Sequence, residues 1–223
     1  SVPGQGSSRC VERRACARAV DGCGVRWSPI RGCEQPLTAM IRASGLASST
    51  GLSSGGTESG GFWEGKARSA LQALLHAAAL EKLPTRALFE WSLSASAAAD
   101  AVGILASHPK AAAGWADSLE GMISSDPRTR DSIWMAVPQA LACLADPAVL
   151  DAVSPEPGEA FDPRDFLTQN GTLYLLATGA GAGASWPLIA AFMEDFTEVA
   201  RHLAAASPGS RLDPPVLMAL DAI

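Results

Sequence analysis

Three stretches of this 223-residue chain carry residue types at spacings that could hold a phosphate group. Gly60-Gly-Phe-Trp-Glu-Gly65-Lys66-Ala67 has the glycine and lysine spacing of a Walker A loop, but Ala67 stands where a hydroxyl should hold Mg²⁺. No apolar strand precedes it, and Phe62 and Trp63 would crowd the backbone amides that wrap a phosphate, so it reads as a decoy. Gly179-Ala-Gly181-Ala-Gly183-Ala184 lies between an expected strand and an expected helix, as a dinucleotide fingerprint does. Two roles fit it: close approach of backbone to the pyrophosphate of NAD(P), or a tight small-residue turn into the helix. No acidic residue follows at the usual distance of about 20 residues. The apolar run Val216-Leu-Met-Ala-Leu220 delivers Asp221 in the form of a Walker B segment, which makes Asp221 the candidate nucleotide-binding and Mg²⁺-ligating residue. A strand-end aspartate also caps turns. No nucleophile–base pair stands out among the serines, the cysteines and His76, His108 and His202, so no residue is assigned a catalytic role.

Cys10, Cys16, Cys23, Cys33 and Cys143 form no paired CxxC pattern, and their odd number argues for free thiols over a complete disulfide framework. The formal charge of −6 and pI near 5.1 speak against unaided binding to a phosphate backbone. With 48% hydrophobic and 18% charged residues, the composition is that of an ordered, helix-rich soluble protein beyond about residue 60. The longest apolar runs fall short of the roughly 20 residues of a membrane helix. A cytoplasmic location is therefore expected.

The elements that would position these residues can be read from hydrophobic period. Residues 1–24 show no period, and Ser44 to Gly61 reads as a flexible connector. Val25 to Ile30 reads as extended, because the residue before Pro29 is pushed from the helical region. Leu71, Leu74, Leu75 and Ala78 share one helical face, and Pro84 ends that run. Further helices are expected on Ala98, Ala101, Val102 and Leu105, then on Trp115, Leu119 and Met122, then on Ile133, Val137, Leu141 and Leu144. The last opens at an Asp126 cap with Pro127 in the first turn and bends at Pro138. After a second such cap, Asp162-Pro163, the pattern becomes strand, helix, strand. Thr172 to Ala177 and Val216 to Leu220 are expected to be parallel strands covered on both faces. The helix between them is striped by Leu188, Phe192, Phe196, Val199 and Leu203, with Glu194, Asp195, Glu198 and Arg201 off the stripe. Trp residues fall mostly on stripes, as core residues do.

In order along the chain, Arg26-Trp-Ser-Pro29, Phe62-Trp63, Leu71 to Leu80, Asp131-Ser-Ile-Trp134, Phe161-Asp-Pro163, Gly171-Thr-Leu-Tyr-Leu175 and Pro215 to Asp221 resemble the TraG/TraD-type coupling proteins, the conjugative DNA-transfer ATPases of type IV secretion systems. The resemblance runs from about Val25 onward. It implies an α/β fold: part of a RecA-like P-loop parallel sheet, present as a βαβ unit, interrupted by an all-α inserted domain, and mostly helical overall. The implied division is an N-terminal remnant of the nucleotide-binding domain at 1–34, poorly ordered, the helical insert at 35–154, and the βαβ part ending at the Walker B strand at 155–223. Implied partners are the relaxase–DNA complex, the secretion channel, single-stranded DNA and further copies of the chain in a hexameric ring, at the cytoplasmic face of the membrane. Intact relatives use ATP and Mg²⁺. Here the Walker A loop expected before Arg26 is absent and the paired Walker B carboxylates read Asp221-Ala222, so the chain is expected to bind neither ligand and to hydrolyse no ATP by itself. A small NAD(P)-dependent Rossmann-type protein and a non-catalytic helical interaction module are the alternatives.

Overall fold

The computed structural model describes residues 12–16, 25–48, 58–156, 158–169, 171–176 and 185–219. Its architecture is mostly helical. Helix α1 (Pro36–Ser48) precedes α2 (Glu58–Leu80), and α2, α3 (Thr85–Leu93), α4 (Ala99–Ser107), α5 (Trp115–Ile123) and α6 (Pro127–Ala140) follow one another through short turns. A 3-10 turn at Ala142–Ala145 leads into α7 (Pro147–Ala152) and α8 (Pro163–Leu167), and the long α9 (Trp186–Ala206) closes the series. Strand β1 (Glu12–Cys16) pairs in parallel with β2 (Thr172–Leu176).

Helix α2 is the axis of the bundle. Ala70, Leu71, Ala73, Leu74, Leu75, Ala77, Ala78 and Ala79 are all buried, so the helix is apolar nearly all round and packs against α1, α3, α4, α5 and α6. Asp126, Asp146 and Asp162 each accept a first-turn N–H of the helix that a following proline opens, an arrangement that satisfies otherwise orphaned donors. Gly114 precedes α5 at φ +78, in the left-handed region that glycine enters without steric cost.

Several expectations are corrected. Val216–Ala219 form no strand, and Leu217 is 91% exposed, so the described residues hold no βαβ unit and no RecA-like parallel sheet. Pro214 and Pro215 lack N–H donors for a ladder, and no described element covers this run; an apolar run becomes a buried strand only where neighbours close both faces. Strand β2 is likewise not covered on both faces, since Tyr174 is exposed. The expected connector from Ser44 to Gly61 is helical at both ends: α1 runs to Ser48 with Gly45, Leu46 and Ala47 buried, and α2 begins at Glu58. Packing overrides the weak helix propensity of its glycines and serines. Helix α3, without a strong period, is an addition.

One hydrophobic cluster joins Trp27, Ile30 and Cys33 to the α2 leucines and to Leu188, Phe192 and Phe196 of α9. At its centre the fully buried His76 bridges two segments. Its Nε2 accepts from the Ala112 N–H at 3.1 Å, so Nδ1 carries the proton and donates to the Cys33 carbonyl at 2.7 Å. Replacing His76 with leucine keeps apolar bulk but orphans both backbone groups. The variant is expected to lose about 1–3 kcal/mol of stability in urea unfolding; an unchanged midpoint would show that the bridge contributes nothing.

Candidate functional site

The sequence-level phosphate candidates come out unequally. Gly61 to Ala67 lie inside α2, where the backbone N–H groups are committed to helix hydrogen bonds, Ala67 is buried and the Lys66 ammonium sits 5.6 Å from the Phe62 ring centroid. This is no phosphate loop. Gly179, Gly181 and Gly183, and likewise Asp221, lie outside the described residues. Among the described residues, no group of three or more His, Cys, Asp or Glu side chains could hold a metal ion.

What the fold does bring together is a buried charge cluster. Asp195 of α9, read from the sequence as lying off the apolar stripe, is 7% exposed and accepts from three side chains. The Trp27 Nε1–H donates to it at 2.9 Å, Arg31 Nη1 at 3.2 Å, and Arg42 Nη2 of α1 lies 3.0 Å from its other oxygen. Arg42 is 1% exposed; it also donates to the Pro29 carbonyl at 3.1 Å and stacks over the Trp27 ring at 4.8 Å. Arg31 reaches on to Asp162 at 2.9 Å, the same oxygen that caps α8. The stripe rule missed Asp195 because its partners come from the segment before α1 and from α1 itself, which no local period reports. An acidic pair, Glu194-Asp195, directly before the stripe residue Phe196 was the only signal.

The same cluster ties the two crossings into and out of the helical body. Arg26 Nη2 donates to the Asp151 carbonyl and carboxylate at 2.7 Å each, the Phe161 N–H donates to the Arg26 carbonyl at 2.7 Å, and the Trp27 N–H to the Ala152 carbonyl at 3.3 Å. Trp27 meets Phe192 edge-on at 5.4 Å, and Phe161 and Phe166 continue the aromatic layer. Next to this layer a small apolar recess of about 70 Å³ is lined by Val25, Val149, Leu175, Leu188 and Ile189.

Around it the reactive groups are quiet. Burial pushes the Cys33 thiol up to about 12 and the Cys143 thiol up to about 11, so neither is a thiolate nucleophile; both are free. Next to Asp195, the half-buried Glu194 has its carboxyl raised above the ordinary value by burial, with Arg42 opposing. Its Oε2 has no hydrogen-bond partner and lies against α1 at Gly45, where any Cβ would come within 2.7 Å. A second polar site, a groove beside Trp134, lies between the turn after α3 and helices α5 and α6; the Trp134 Nε1 is buried without a partner. An orphaned donor of this kind costs about 1–3 kcal/mol.

No described helix is long and apolar enough to cross a membrane. In comparisons with known proteins, no family model, no curated protein and no solved structure matches the chain.

Two expectations follow from the charge cluster. Asp195→Ala strands Arg42 in the core and is expected to cost about 3–5 kcal/mol, read from denaturant unfolding; a loss under about 1 kcal/mol would mean that the arginines find water instead. Glu194 acts in the opposite sense. The folded state holds its proton more tightly than the unfolded chain, so its contribution is full below about pH 4 and is lost as pH rises through the raised folded value. Glu194→Gln should therefore raise the melting temperature slightly at neutral pH and leave the acid side unchanged. A lower melting temperature at neutral pH would contradict this.

Proposed function

We propose that this chain is part of a TraG/TraD-type conjugative coupling protein, and that its helical body is the element that engages the relaxase–DNA complex for delivery to a type IV secretion channel. One observation carries the reading: the segment leading into the helical body and the segment leading out are clamped side by side, at Arg26 with Asp151 and Phe161, and at Arg31 with Asp162. A domain inserted into another domain needs its two crossings adjacent, because both must return to the same place in the parent fold. Further support comes from where the resembling residues fall. Arg26-Trp-Ser-Pro29 and Phe161-Asp-Pro163, far apart in the chain, meet in that clamp, and Trp63 and Trp134 pack against the bundle core.

The acidic balance favours a protein-held DNA substrate over bare DNA, since six surplus negative charges oppose a phosphate backbone. ATP hydrolysis, the RecA-like sheet and a hexameric ring belong to intact members of the family that the chain resembles. They are not assigned to these residues.

The test is retention of the relaxase encoded by the same mobile element, with and without its bound single-stranded DNA, on the immobilised chain. Retention of the relaxase, and none of bare DNA, is the expected result. A chain shown to be folded by circular dichroism that retains no relaxase would defeat the reading.

A further inference from the structure

We draw no further inference here: the strongest candidate, the outward face of α1, where Leu37, Met40 and Ile41 are exposed at helical spacing while the one charged residue of the helix, Arg42, is buried, is an exposed apolar stripe, and nothing among the described residues shows what covers it.

Discussion

A carboxylate taken out of water is tolerated only where charge and hydrogen bonds replace its hydration, and Asp195 is the place where this fold meets that demand. Its donors are the indole of Trp27, 168 positions earlier, and two guanidiniums from the segment before α1 and from α1 itself. Arg42 is itself fully enclosed and would be stranded without the carboxylate. The cluster therefore selects a single arrangement of α1, α9 and the segment from Val25 to Ile30. Hydrophobic contact alone, being non-directional, would allow neighbouring registers.

From that point the order spreads outward through shared atoms. Trp27 donates to Asp195, carries the Arg42 guanidinium on its face and meets Phe192 with its edge, so one side chain belongs to the charge cluster and the aromatic layer alike. Arg31 joins Asp195 to the cap of α8, and Arg26 fastens the end of α7. On the other side His76 links the turn at Cys33 to the turn before α5, across the central helix α2. Polar groups in this core work as pins between segments that the apolar cluster packs but does not align.

Around the clamp, burial raises the Cys33 thiol and the recess has apolar walls, while Arg26 Nε and Glu194 Oε2 are buried without hydrogen-bond partners. On the side formed by α3, α5 and α6, Leu93 and Met135 are exposed, and the Trp134 indole N–H is buried without an acceptor.

Local chemistry was enough to read much of the helical body. The prolines after Asp126 and Asp162 mark true caps, because a carboxylate that accepts first-turn N–H groups and a ring that fixes φ act within four residues. The stripe of Leu71, Leu74, Leu75 and Ala78 is buried in α2, and Ile133 and Val137 in α6, since helical period and burial are two views of the same geometry. What local period could not decide was anything set by distant neighbours. Position 45 has no room for a side chain because Glu194 lies against it, Asp195 is internal because two arginines and an indole reach it, and Val216 to Ala219 stay exposed because no described strand or helix covers them. Residue type specifies what a side chain needs; only the tertiary structure determines whether a partner arrives, because the partners of a buried charge or an apolar strand are chosen by packing across the whole chain.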